Sequence, residues 1–502
     1  MRFTSLIVEL IRMRSGLVFW LVALGQAALW FVVPMLLYAS PPGDLPMVLA
    51  VGREYVMGSD LGPPLAFWLA DLAFRLAGQH MFGVYLLAQV CFVVTFWALF
   101  RLARLIVGPQ HAVLAIVLTA TIVAFSFPGV EFGPDLLARP LWALVLLNGW
   151  RIVGLGRREA WFALSMNAGL LLLTTPAAPL LLALLLAFAL ATQRGRRMLL
   201  SLDPLFALAV VAVLVLPYGI FVARGGLPPV NWPSLADIRE WPLAWLKLVG
   251  GALLTLAGIA ILMLANWSRL SRNPEEAPII YRRPVEPLAR AFVLYFLFAP
   301  ALTASLIAVA LGRSELFGGD GVALLMAGLA AVLAGGDLLR LRRQRILRII
   351  WTWIIAAPAL LIAATTLIQP WIFADEIRTM TPAAAMGDFF GDAYQRRTGQ
   401  PLRIVAGDPR LASLIGFAAP SQPHLLLDGT PERTPWISAD ALKSQGGLVV
   451  WRAQDTAGTP PSELAARFPG LVPEVPRSFQ RLVNGRQPII RVGWAIVRPP
   501  SR

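Results

Sequence analysis

The chain has 502 residues, 58% of them hydrophobic and only 14% charged, and its mean hydropathy is +0.69. Soluble domains carry about 25% charged residues, so this composition excludes a soluble globular protein. The net charge of +15 does not argue for a nucleic-acid partner, because the basic residues gather at the ends of apolar runs, where topogenic charge sits.

Met1 to Ser15 carries Arg2, Arg12 and Arg14 ahead of an apolar run over 16–38. That run is too long for the apolar region of a cleaved signal peptide and reads as a first span. A span needs about 20 apolar residues. Further candidates follow at 82–106, 112–128, 136–155, 161–175, 177–193, 204–224, 246–266, 289–311, 320–339 and 349–369. Pro176 and Pro179 interrupt the stretch 161–193, which could be two short spans or one kinked one. The only cysteine, Cys91, lies inside a span, so neither a disulfide framework nor a cysteine-based metal site is available.

Charge sets the orientation. With the N-terminus in the cytoplasm, the inner ends and loops hold 21 arginines, and the outer loops hold seven basic residues: Arg53, Arg75, Arg139, Arg224, Arg239, Lys247 and Arg313. This bias follows the positive-inside rule and favours two spans within 161–193, since a single span would put the RLRRQR run at 340–345 outside. The chain then reads as an α-helical polytopic membrane protein of about eleven transmembrane helices. Residues 1–370 form the membrane module with an outer juxtamembrane loop at 39–81, and residues 371–502 form a small outer α/β domain.

In that domain LRIVAG (402–407), HLLLDG (424–429), GLVVWRA (447–453) and PIIRVGWAIV (488–497) read as strands. Asp408 is placed to cap a helix, and SADALKSQG (438–446) starts with a serine cap and ends on glycine. The alternation suggests an α/β layer. It contains no GxGxxG, P-loop or metal-ligand spacing.

The candidate chemistry lies on the outer side. The loop 39–81 carries Asp44, Glu54, Asp60 and Asp71, and GPPLAFWLADLAFRLAG (62–78) reads as an interfacial helix with Phe67 and Trp68 at headgroup level. The next outer loop brings Glu131 and Asp135. Carboxylates near lipid are costly and are functional candidates for that reason. Among the outer cations, Arg53, Arg75, Arg139 and Lys247 are available for an anionic group, with Arg53 and Arg139 within ten residues of an acidic candidate. Trp232, Trp241 and Trp245 could stack on a sugar or belong to an interfacial belt. His80, His111 and His424 lack the paired spacing of a metal site.

The stretch from Asp44 through PPLAFWL (63–69) resembles the first outer loop of the GT-C glycosyltransferases. The nearest relatives by this pattern are glycosyltransferase family 39, with the protein O-mannosyltransferases and the bacterial aminoarabinose and lipopolysaccharide-core transferases. Asp135 ahead of its span resembles the second acidic site of that family, and 405–429 with 435–451 resembles the periplasmic domain of its bacterial members. The resemblance implies transfer of a sugar from a polyprenyl-phosphate donor to an envelope glycolipid, glycan or protein. It assigns the general base to Asp44, an acceptor or second acidic site to Glu131, Asp135 and Asp60, and donor-phosphate binding to Arg53, Arg139 and Arg75. A divalent metal ion held by carboxylates and donor phosphate stays open. It further implies a bacterial inner membrane with the C-terminal domain in the periplasm. Two departures stand out: Leu45 where many members have glutamate, and Gly62 where the aminoarabinose type often has lysine. They keep a catalytically degenerate scaffold open, and the number of spans keeps a transporter or lipid flippase open.

Overall fold

A computed structural model describes residues 3–59, 61–127, 129–224, 235–266, 279–341, 343–427, 434, 436–437, 440–468, 470–481, 483 and 485–499. Asp60, Trp232 and Ser438 lie outside the described residues. The chain divides into two compact units. One holds Met1–Phe31, Leu86–Gly129 and Pro134–Leu360; the other holds Val32–Tyr85, Val130–Gly133 and Leu361–Arg502.

The first unit is the membrane module. Among the described residues of the chain, six helices are long and apolar enough to span: Ser15–Leu37, Met81–Val107, Pro134–Val153, Asp203–Ala223, Pro287–Ala310 and Gln344–Leu367. Two bent pairs, Ala178–Ala191 with Gln193–Leu199 and Glu240–Thr255 with Ala257–Ala265, raise this to as many as eight. Three shorter apolar helices are Pro109–Thr119, Ala160–Leu172 and Asp320–Ala334. Each of the eleven expected segments therefore coincides with an apolar helix or helix pair.

The Pro-interrupted stretch resolves into a hairpin. Ala160–Leu172 and Ala178–Ala191 are separate helices. Beyond their far ends, the Arg194 guanidinium donates to the Gly154 carbonyl at 3.1 Å and Arg158 pairs with Asp203 at 2.7 Å. The chain thus returns to the face it left. That face collects the arginine-rich loops. Arg194 pairs with Glu286 at 2.9 Å, and buried Arg282 pairs with Asp337 at 3.0 Å. There β1 (Ile279–Tyr281) runs antiparallel to β2 (Leu338–Arg340). These loops are the ones that charge alone assigns to a single side.

The second unit is built on a five-stranded mixed sheet. Its strands are β3 (Ile404–Gly407), β4 (His424–Leu427), β5 (Gly447–Arg452), β6 (Glu474–Phe479) and β7 (Ile490–Val497), in the order β4-β3-β5-β7-β6. β3 pairs in parallel with β4 and β5, and β7 pairs antiparallel with β5 and β6. Period-two alternation gives each face its own core. Val405, Val450, Val492 and Trp494 pack under the helices Ala383–Thr398 and Pro409–Ala418, while Ile404, Ala406, Val449 and Trp451 pack with Leu442 and Leu464. Asp408 caps its helix by accepting from the Arg410 and Leu411 amides at 3.0 and 2.9 Å, as its position predicts. The shorter helix starts instead after Asp440, at Ala441, and stops at Gly446, whose φ is +71°.

The outer loop belongs to this unit as well, although the sequence groups it with the spans. Pro46 sits in the first turn of the helix Leu45–Arg53, where its missing N–H costs nothing, and Arg53 complements the C-terminal dipole. Ala50 of this helix joins the Phe390–Val405–Trp494 core, with Met47 against it, so burial ties the loop to the sheet. The second outer helix, Leu65–Leu76, crosses the first at Gly52, where any Cβ would strike the Phe67 carbonyl. Phe67 is consequently buried in protein rather than set at headgroup level, and Trp68 donates to the Val56 carbonyl at 3.1 Å.

The hairpin has a direct test. In a Cys91→Ala background, single cysteines replacing Arg157 and Arg194 should label from one side of sealed vesicles and Pro176→Cys from the other. Labelling of all three from one side would rule out two spans within 161–193.

Candidate functional site

In the second unit the chain leaves its first span at Tyr38. The amides of Ala39 and Ser40 both donate to the Thr379 carbonyl at 3.0 Å, which pins this exit to the segment preceding the helix Ala383–Thr398. Gly43 then adopts a φ of +52°, a conformation that favours glycine. A Cβ at this position would lie 2.5 Å from Glu131 Oε2, so the Glu131 carboxylate rests against the backbone just before Asp44. Tyr38 is a further electrostatic neighbour of Glu131. Asp44 occupies the cap position of the helix Leu45–Arg53, but its side chain makes no capping hydrogen bond and is exposed. Two carboxylate-bearing loops almost ninety residues apart in sequence thus meet at Gly43, and both Asp44 and Glu131 are exposed.

The neighbouring charges of that unit are committed to structure. Asp71, buried on the inner stripe of its helix, receives the Tyr55 hydroxyl at 2.9 Å and pairs with Arg75 Nε at 2.6 Å; Arg75 also lies over the Tyr55 ring. Arg53 donates to the Gly416 carbonyl at 3.4 Å, and burial pushes its guanidinium below its ordinary value while nearby Asp71 and Glu54 oppose this. Glu54 Oε1 lies 2.7 Å from His424 Nδ1. That hydrogen bond raises the His424 value above the ordinary one, against the opposing effect of partial burial.

The first unit contains a separate cluster. Asp135 and Arg139 lie one turn apart on the helix Pro134–Val153. Arg139 Nη1 donates to the Ala124 carbonyl at 2.7 Å, its guanidinium lies 5.6 Å from the Phe125 ring centroid, and its Nε is buried without a hydrogen-bond partner. Against these side chains runs the turn Gly318–Gly319–Asp320–Gly321. Here the absence of side chains is a requirement: a Cβ on Gly321 would collide with Arg139 Nε, and one on Gly319 would sit 3.3 Å from Asp135 Cγ. Asp135 and Asp320 are both electrostatic neighbours of Arg139, Arg313 is a neighbour of Asp135, and Glu315 is one of Asp320.

Sequence reasoning did not single out Asp320, because it stands at the head of an apolar run and reads as the start of a span. The three glycines flanking it were the available signal. The Glu54–His424 pair had no local signal, being 370 residues apart. Trp245 donates to Ser305 Oγ at 3.0 Å, and exposed His80 accepts from the Phe82 amide at 3.2 Å. His111 is buried and Lys247 is exposed. Among the described residues no group of three or more His, Cys, Asp or Glu side chains is arranged to hold a metal ion.

Residues 62–221, which run from the second outer helix through the span Asp203–Ala223, match the family model of dolichyl-phosphate-mannose-protein mannosyltransferases. The whole chain superposes on ArnT from Cupriavidus metallidurans bound to undecaprenyl phosphate, with a TM-score of 0.58 and 15% identity, covering 97% of this chain and 99% of that one. The chain therefore has the fold of this glycosyltransferase. The apo form of the same ArnT gives the same TM-score and identity. The arabinofuranosyltransferase AftD from Mycobacteria is similar at a TM-score of 0.51 and 16% identity, over 96% of this chain and 40% of that one. No curated protein matches by sequence. The structural likenesses carry the fold; the roles of individual residues rest on the geometry above.

Gly321→Ala should displace Arg139 and lower stability in detergent by about 1–3 kcal/mol. Gly250→Ala, in a helix where a Cβ meets nothing, should leave stability unchanged or slightly raised. Equal melting temperatures for the two variants would contradict this account of the turn against Arg139. The His424–Glu54 pair gives a pH signature. The folded histidine value is raised, so its contribution is complete below the unfolded value of about 6.5 and is lost as pH rises through the folded value. The ring is half exposed, so the effect should stay below about 1 kcal/mol. Between pH of about 6 and about 8 the protein should lose stability relative to His424→Gln, and a constant gap would show that the pair contributes nothing.

Proposed function

We propose that this protein moves a sugar from a polyprenyl-phosphate-linked donor to a hydroxyl of an envelope lipid, glycan or protein. The observation that supports it best is Asp44: an exposed carboxylate, held by no capping hydrogen bond, beside a second carboxylate on a loop fixed by its neighbours. In the reaction the acceptor oxygen forms a bond to the anomeric carbon of the sugar. The bond from that carbon to the donor phosphate oxygen breaks on the opposite face, and polyprenyl phosphate leaves with the electron pair. The acceptor proton passes to Asp44 as general base.

The departing phosphate needs a cation or oriented N–H groups. Of the three arginines with that expected role, Arg75 is held by Asp71 and Arg53 by the Gly416 carbonyl. Arg139 is held at Nη1 by the Ala124 carbonyl, but its buried Nε lacks a partner, which favours it for the donor phosphate, with Asp135 and Asp320 as neighbouring charges. A divalent ion would have to use donor oxygens in addition to protein carboxylates, since the described residues offer no ready cage.

This reading places the protein in the inner membrane of a bacterium, with the arginine-rich face in the cytoplasm and the sheet domain in the periplasm, in line with the charge bias. That ArnT binds undecaprenyl phosphate supports a donor of this chemical class.

Comparison of envelope glycolipids by mass, with and without the gene product, should reveal a missing sugar and so name donor and acceptor. Asp44→Asn should then lower turnover by about 10²–10⁴-fold in folded protein. Unchanged turnover would remove Asp44 as base. Donor binding with no consumption of donor by the native protein would favour a carrier instead.

A further inference from the structure

The membrane module contains a second feature, lined by none of the residues assigned to the proposed sugar transfer. A groove of about 600 Å³ lies between the first span and the helices Pro109–Thr119, Ala257–Ala265 and Gln344–Leu367. Its wall is aliphatic over most of its length, with Val22, Val117, Met263, Val332 and Leu347 among the contributors. Polar lining comes chiefly from Asn266, Gln344 and Arg348. Asn266 caps the C-terminal end of one helix and Gln344 begins another, so these groups stand at helix ends on the arginine-rich face. The groove is remote from the acidic cluster: Val332 and Gly335 line it at the far end of the stretch whose first residue is Asp320.

Three properties define the occupant. The volume falls within the range of about 300–1,000 Å³ that small-molecule sites occupy. An aliphatic wall with polar groups at one end matches an amphiphile; a water-soluble metabolite would leave the wall unused, and a peptide would leave backbone groups unpaired against it. The charge at the polar end is strongly positive: Arg343, Arg345 and Arg348 fall within six residues at the start of the last span. Basic clusters beside a membrane helix attract anionic lipid headgroups, and basic pockets between helices hold them.

We propose that the groove binds an anionic diacyl phospholipid from the arginine-rich leaflet. One acyl chain lies along the aliphatic wall, and the phosphate sits against Arg348 and the arginines that precede it. The site would couple the packing of the first and last spans to the anionic lipid content of that leaflet.

The test uses the full-length protein in detergent, with palmitoyl-oleoyl phosphatidylglycerol, phosphatidylcholine of the same chains, and undecaprenyl phosphate as probes. Native mass spectrometry should find one retained phosphatidylglycerol per chain, and titration should raise the melting temperature more for phosphatidylglycerol than for phosphatidylcholine. The double variant Arg345→Gln, Arg348→Gln should bind phosphatidylglycerol about tenfold more weakly. Ala331→Phe, which fills the groove without touching its charge, should reduce binding of both phospholipids. The proposal is overturned if the two phospholipids bind equally, if both variants bind phosphatidylglycerol as the native chain does, or if undecaprenyl phosphate displaces phosphatidylglycerol at lower concentration. That last result would make the groove a seat for the donor's prenyl chain.

Discussion

A bilayer interior offers no water to backbone N–H and C=O groups, so every residue that crosses it must satisfy its own backbone. The rest of this structure follows from that demand. Its spans are helices, and several polar side chains within its apolar helices bond back to their own turns: Thr95 to the Cys91 carbonyl, Thr119 to Ala115, Asn148 to Leu144 and Thr303 to Ala299. Prolines inside spans, such as Pro217 and Pro300, are tolerated for the same reason, since nearby groups and local adjustment absorb the lost bond. The span Asp203–Ala223 has no buried residue at all, and its Leu205, Phe206 and Val213 are exposed along a surface that only lipid can cover.

Because spans cannot host unpaired charge, chemistry is confined to their ends. There the backbone is irregular, and glycine decides how closely it approaches a charged side chain. Gly43 lets the loop close on Glu131; Gly319 and Gly321 let a turn lie on Asp135 and Arg139. The two sites use the same physical device, close backbone approach at a residue with no Cβ. It orients a carboxylate or guanidinium without requiring another side chain in a crowded space.

The outer helices show how a short loop element can be held still. A nine-residue helix is too short to be stable alone. Here it is pinned on one side by the second outer helix through Gly52 and on the other by the sheet domain through Ala50 and Met47. Tyr55, Asp71 and Arg75 form a closed set of contacts beneath it. Charges that look catalytic in the sequence, Asp71 and Arg75, are therefore spent on holding the loop that carries Asp44.

The eleven apolar segments and four of the five sheet strands were legible in the sequence, because each depends on a local sum: enough apolar residues to form a span, or alternation over a few positions. β6 was not legible. It is an edge strand whose Glu474, Pro476 and Arg477 reflect solvent exposure rather than burial. The fold class was legible in the sequence as well. Only the tertiary structure decided which charges meet: Glu131 with Gly43 beside Asp44, Asp320 with Arg139, and His424 with Glu54. Those pairings join segments far apart in the chain, and they depend on where glycines allow backbones to approach and on which apolar faces pack together, neither of which any single stretch of sequence contains.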